Sequence, residues 1–170
     1  MSEPLFDLPE GVLAELVSED AGYFLRGARL LEAGLSEWQT YEVWETPHFG
    51  KLFRLDGCFM TSERDEFYYH ENLIHVPGVA HPGLRRALIV GGGDGGSADE
   101  LLKYPGIERI VIAELDAKVV ELSRRHLCEV HHGALDDPRV EIRIGDGMKY
   151  VHEEGPAAGE RYDPIVLDLT

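Results

Sequence analysis

Leu88-Ile89-Val90-Gly91-Gly92-Gly93-Asp94-Gly95-Gly96 decides how the second half of this chain is read. Ala87–Val90 is a short, continuous apolar run, and it leads straight into Gly91, Gly93 and Gly96, which satisfy G-x-G-x-x-G. Glycine at those places permits a tight turn and lets a ligand approach the backbone at the N-terminus of the helix that follows. The stretch therefore predicts strand, glycine loop and helix, the helix reaching about Lys103.

Downstream the alternation repeats. Ile110–Ala113 is a second apolar strand, Ala117–Leu127 a helix, Val140–Ile144 a third strand and Ile165–Leu167 a fourth. Apolar strands separated by helices predict an α/β fold, a doubly wound parallel sheet covered on both faces. A sheet of this kind normally continues past its fourth strand, so the chain, which stops at Thr170, is expected to be a fragment truncated at that point.

Upstream the pattern changes. From Trp38 to Ser62 the aromatic and β-branched residues recur at every second place, broken by Pro47–Gly50 and by Asp56-Gly57, which predicts a small β-meander domain. Asp-Gly is the two-residue hairpin signal, because both central residues of a type I′ turn need positive φ. Residues 1–37 show helical spacing in Val12, Leu13, Leu16 and Val17 and again in Leu25, Leu30 and Leu31, and are read as a helical, peripheral segment. Ser62, with a carboxylate three places on, is read as the N-cap of a helix that runs to about His75, inside a connecting segment over 63–84. Residues 85–170 make up the first part of the α/β domain.

Composition excludes several functions. The 170 residues hold 44% hydrophobic and 28% charged side chains, the range of an ordinary globular protein. No apolar run approaches the roughly 20 residues of a membrane helix, and Met1-Ser2-Glu3-Pro4 lacks a basic leader, so the expected location is the cytoplasm. Sixteen Lys and Arg against 32 Asp and Glu leave a formal charge of −16, which argues against nucleic acid and favours small cations. Cys58 and Cys128 stand apart and are read as reduced packing residues. Phe67 and Tyr68 are expected between helix and sheet, Trp38 and Trp44 in the β-domain core or an oligomer contact. His126, His131 and His132 are read as solvated surface; no metal is assigned.

The site chemistry follows from acids at strand ends. Glu114-Leu115-Asp116 ends the second strand, where a carboxylate can accept both ribose hydroxyls, so a nucleoside ligand is expected. NAD and S-adenosylmethionine-type ligands share this geometry. Asp146, in Gly145-Asp146-Gly147, ends the third strand, in reach of an adenine amino group, and Asp168 tips the fourth. With Asp94 these acids form a ring that repels a pyrophosphate and welcomes a sulfonium. In a methyltransferase the glycine loop faces the methionine carboxylate, which Asp94 would oppose. A ligand without that carboxylate offers Asp94 an ammonium instead, which points to decarboxylated S-adenosylmethionine.

Leu55-Asp56-Gly57, Thr61–Glu71, Gly91–Gly96, Glu114–Asp116, Gly145–Gly147 and Tyr162-Asp163…Asp168 resemble the polyamine aminopropyltransferases, the spermidine synthases, collinearly from about Ser36 onward. The resemblance implies a Rossmann-like, methyltransferase-type domain behind a small N-terminal β-domain. It also implies transfer of aminopropyl from decarboxylated S-adenosylmethionine to putrescine or a related amine, with release of methylthioadenosine. No prosthetic group is implied, and a homo-oligomer, dimer or tetramer, is expected. Carried onto this sequence, Gln39 and Glu114 hold the ribose and Asp146, with Gly147 beside it, the adenine. Asp94 takes the aminopropyl nitrogen, Tyr69 and His70 form the polar wall between the substrates, and Asp168 is catalytic. Departures are Met60 where many members carry Gln, Asp99 where Arg is common, and Pro164 before the fourth strand; the second acid of the family's Asp-x-x-Asp motif would follow Thr170. A methyltransferase and a catalytically silent nucleoside-binding fragment are the alternatives.

Overall fold

The chain folds as two compact units, one ending at Arg64 and one beginning at Asp65, in a computed structural model that describes residues 9–169. In the first unit β1 (Val12–Leu16) and β2 (Gly22–Arg26) form an antiparallel hairpin. β3 (Arg29–Leu35), β4 (Thr40–Thr46), β5 (Gly50–Leu55) and β6 (Cys58–Ser62) form a four-stranded antiparallel sheet in sequence order. The Asp56-Gly57 turn has φ of 47° and 85°, and Asp56 Oδ1 also accepts hydrogen bonds from the Thr40 N–H and hydroxyl at 2.8 and 2.9 Å. One aspartate thus closes one hairpin and ties it to the neighbouring strand.

The helices expected within residues 12–31 are strands. A four-residue spacing is an even number, so Val12 and Leu16 share one face of a strand as readily as one side of a helix. Pairing decides the matter: Leu13 is buried with Ala28 and Leu52, Arg54 donates to the Ala14 carbonyl, and the Phe59 N–H donates to Glu15. Trp44 packs against this cluster with its indole N–H on Glu42, whereas Trp38 is exposed. Val43 and Phe53, paired across β4 and β5, are among the most buried residues of this unit.

The second unit begins with α1 (Glu66–Gly78), whose N-cap is Asp65; Ser62 ends β6 and does not cap it. The buried residues of α1 are His70, Ile74 and Gly78, one stripe at i, i+4 and i+8. Phe67 and Tyr68 lie off that stripe and stack on each other with ring centroids 4.1 Å apart, 38% and 68% exposed, contrary to the expected packing against the sheet. The sheet follows: β7 (Arg86–Gly91), α2 (Gly96–Leu102), β8 (Arg109–Glu114), α3 (Ala117–His126), α4 (Cys128–His131), β9 (Val140–Ile144), a helical stretch from Gly147 and β10 (Ile165–Asp168). All four strands are parallel, in the order β10-β7-β8-β9.

Side-chain alternation assigns the two faces. Ala87, Ile89, Ile110, Ile112 and Val166 pack with Ile74, Ala98, Leu101 and Val120 of the helices, while Leu88, Val90, Val111 and Ala113 pack on Tyr150. The chain steps outward from β7 to β8 to β9 and then returns to the other side of β7 to make β10. The direction of winding therefore reverses between β7 and β10, and open α/β sheets bind ligands outside the carboxyl ends of strands at such a point. Pro164, just before β10, needs no ladder N–H and accepts from the Leu88 N–H through its carbonyl at 3.1 Å. No described helix is long and apolar enough to cross a membrane.

Candidate active site

The glycine loop turns directly over the end of β10. Gly91 has φ +81°, and a Cβ there would sit 2.1 Å from the Asp168 carbonyl oxygen; the loop is pinned by the Gly92 N–H on that same carbonyl at 3.0 Å. At Gly96 a Cβ would come within 2.3 Å of the His70 ring, so only glycine admits the imidazole against the first turn of α2.

His70 is 2% exposed, with Nδ1 2.7 Å from Glu66 Oε2 and Nε2 3.5 Å from Asp94 Oδ2. Burial alone would depress its pKa, but the two carboxylates outweigh it and lift it to about 10, so His70 is an imidazolium at neutral pH. Burial likewise opposes the charge of Asp94, and the His70 imidazolium overcomes that and holds its carboxyl below the usual range. Asp168 goes the other way. Burial and then the charge of Asp94 push it up, and the Ser97 hydroxyl, donating to Oδ2 at 2.6 Å, is the foremost countering group. Tyr69, 48% exposed, has its phenol pushed to about 12 by burial and by Asp168, so it stays a neutral donor. One ligating atom from each of His70, Asp94 and Asp168 lies within 4.8 Å of the other two, yet the three bring only one positive charge.

The two acids after β8 have separate tasks. Asp116 caps α3, accepting from the Lys118 N–H at 2.9 Å. Glu114 is turned under the glycine loop, its Oε2 accepting from the Gly93 N–H at 3.1 Å and its Oε1 from the Asp116 N–H at 2.9 Å, and burial raises its pKa. Asp146 caps the helical stretch after β9 with Oδ1 on the Met148 N–H at 2.8 Å and is exposed; Gly147 beside it is buried against Val90. Gln39 belongs to the first unit, in the turn between β3 and β4, with its N–H on Ser36 Oγ.

The structure thus gathers Tyr69, His70, Asp94 and Asp168 at the switch point, with Glu114 beneath the loop. Glu66 and Ser97 join them without having been expected. An i, i+4 acid ahead of His70 was a legible signal for Glu66; nothing local marks Ser97, whose partner is 71 residues away. Of the histidine loop, His131 is buried at 4% exposure against Gly95 instead of solvated, because α4 folds back under the glycine loop. Cys58 and Cys128 are free thiols, exposed where packing was expected.

A parallel sheet with a glycine loop and a carboxylate rim at its switch point is a Rossmann-like α/β protein of the methyltransferase type. Residues 66–170 match the spermine/spermidine synthase domain. The chain is 47% identical over 163 residues to the polyamine aminopropyltransferase of Nitrosomonas europaea, covering 96% of this chain and 49% of that protein. It is 43% identical over 152 residues to the polyamine aminopropyltransferase of a Thermoanaerobacter species, covering 89% and 53%. Among solved structures, spermidine synthase from Thermotoga maritima superposes with a TM-score of 0.85 at 36% identity, over 99% of this chain and 58% of that one. A spermidine synthase in complex with the transition-state analogue AdoDATO gives 0.86 at 36% identity, over 100% and 57%. The chain belongs to the spermine/spermidine synthase family. It spans about half the length of the curated relatives it matches.

Proposed function

We propose that this chain carries the site of a polyamine aminopropyltransferase, which moves the aminopropyl group of decarboxylated S-adenosylmethionine to putrescine or a related amine and releases methylthioadenosine. The observation that supports it most is the pair Asp94 and Asp168: two carboxylates that oppose each other's charge at the switch point, with a single imidazolium between them and Glu66. Such a cleft gains from a cation that enters it. The aminopropyl ammonium is assigned to Asp94, the ribose to Glu114, the adenine to the stretch at Asp146 and Gly147, and the amine to Asp168, Tyr69 and His70.

The reaction is one in-line displacement. The amine lone pair forms the N–C bond as the C–S bond breaks, the electron pair goes to sulfur, and the thioether leaves neutral, so no general acid is needed. A primary amine has a pKa near 10 by analogy with lysine, roughly six units above an ordinary carboxylate. Asp168 therefore does not hold the amine deprotonated; it orients a neutral amine, stabilises the positive charge that builds on nitrogen and accepts the proton late. Burial and Asp94, which raise the pKa of Asp168, make it a better late acceptor.

The exposed Tyr23 and Phe24 on β2 support a homo-oligomer, dimer or tetramer. Isothermal titration with S-adenosylmethionine and its decarboxylated form, followed by assay of methylthioadenosine release with putrescine, tests the reading. Tight binding of the intact ligand and none of the decarboxylated one would mean a methyltransferase site instead.

A further inference from the structure

Ser97 lies in the first turn of α2, wholly buried, and its Oγ donates to Asp168 Oδ2 at 2.6 Å. A serine in a helix ordinarily bonds back to its own turn or caps it. Here the N-cap is Gly95, and the hydroxyl instead reaches across to the end of β10. A buried hydroxyl needs a partner, and a carboxylate is the strongest acceptor for one, so the bond fixes both groups. We infer that Ser97 is a positioning residue for Asp168: its hydroxyl locks Oδ2 and so sets the orientation of the carboxylate that receives the amine.

This inference rests on the aminopropyl reading for its catalytic consequence and on geometry alone for the lock. The charged and titratable groups facing Asp168 are Asp94 from the glycine loop and His70 and Tyr69 from α1. Asp94 repels the charge of Asp168, and Ser97 donates to that charge from α2. Removing the hydroxyl leaves Asp168 with burial and Asp94 against it and with the α1 donors alone in its favour. The carboxylate then takes up a proton more readily and turns more freely, and the looser orientation lowers the fraction of encounters in which the amine finds it in place.

The test is a side-chain carboxyl NMR titration of Asp168, assigned by loss of its signal in Asp168→Asn, in the wild type, Ser97→Ala and Ser97→Thr. The midpoint is expected to rise by about one pH unit in Ser97→Ala, the size of one charge-assisted hydrogen bond, and to return in Ser97→Thr. In turnover, Ser97→Ala should lower kcat about tenfold with the nucleoside KM nearly unchanged, and the acid limb of the rate profile should move with the NMR midpoint. A midpoint unmoved in Ser97→Ala, or one in Ser97→Thr that stays with the alanine variant, overturns the proposal. A wild type that transfers no aminopropyl group refutes the functional reading instead, and the titration still decides whether Ser97 governs Asp168.

Discussion

The two ends of the parallel sheet are both crowded with charge, and they are built to opposite effect. At the amino ends of the strands every acid in the cluster has a guanidinium or an N–H donor. Arg109 bridges Glu160 at 2.8 Å and Glu141 at 2.6 Å, Arg86 reaches Glu160 at 2.7 Å, and Asp163 accepts from the Arg85 and Arg86 N–H groups at 2.7 and 2.9 Å. These hydrogen bonds hold Glu160, Glu141 and Asp163 below the ordinary carboxylate range. At the carboxyl ends burial raises Glu114 and Asp168, and one imidazolium serves Glu66 and Asp94 together. The first arrangement spends its charges on the fold; the second leaves negative charge for something the chain does not contain. That contrast separates a structural cluster from a binding site better than a count of charged residues does, since both clusters are acidic and both are ion-paired.

The sharpest way to break the comparison is Asp168→Asn. It should lower methylthioadenosine release by about a hundredfold or more, the range lost with a proton-accepting group, while the melting temperature stays level or rises because a raised carboxyl has been removed. A melting temperature that falls as far as the rate would make Asp168 a structural residue like Glu160. Asp94→Asn comes next. Its carboxylate should repel intact S-adenosylmethionine and attract the decarboxylated ligand, so the ratio of the two affinities should shrink by about one to two powers of ten. Parallel calorimetric titrations read that ratio, and an unchanged value would show that Asp94 does not sense the missing carboxylate.

At the other end the expected loss is one of stability. Arg109→Met leaves Glu160 and Glu141 without their shared partner and should cost about 2 kcal/mol in a denaturant titration, with ligand affinity unaltered. A change in affinity as well would mean that the two ends are coupled through the strands. The last test concerns pH. The folded value of His70, about 10, lies above its ordinary 6.5. The stability it contributes is therefore complete below the lower value and is lost as pH rises through the upper one. Wild-type melting temperatures should fall between pH 7 and 10 more steeply than those of His70→Gln, and parallel curves would show that His70 is not charged between Glu66 and Asp94.

Much of this was legible before any tertiary structure. Ile89 and Val90 before five glycines announced a buried strand and a ligand-binding turn because positive φ and apolar continuity are local properties of a sequence. Asp56-Gly57 announced its hairpin for the same reason. Residues 12–35 were misread because their apolar spacing suits either period, and Leu13 became a strand residue only through Ala28 and Leu52. Tertiary structure alone sorted the acids: Asp116 became a helix cap while Glu114, two residues away, was turned under Gly93.

By itself, then, the sequence determined the order of elements in the parallel domain, the glycine turn and the acids at the strand ends, since each depends on neighbours within a few residues. Which charges meet is another matter. The approach of His70 to Asp94 and of Ser97 to Asp168 joins groups 24 and 71 residues apart. Those distances exist only after α1 has packed its His70–Ile74–Gly78 stripe and β10 has come back beside β7. A carboxylate's pKa depends on burial and on charges a few ångströms away, and both are properties of the folded chain.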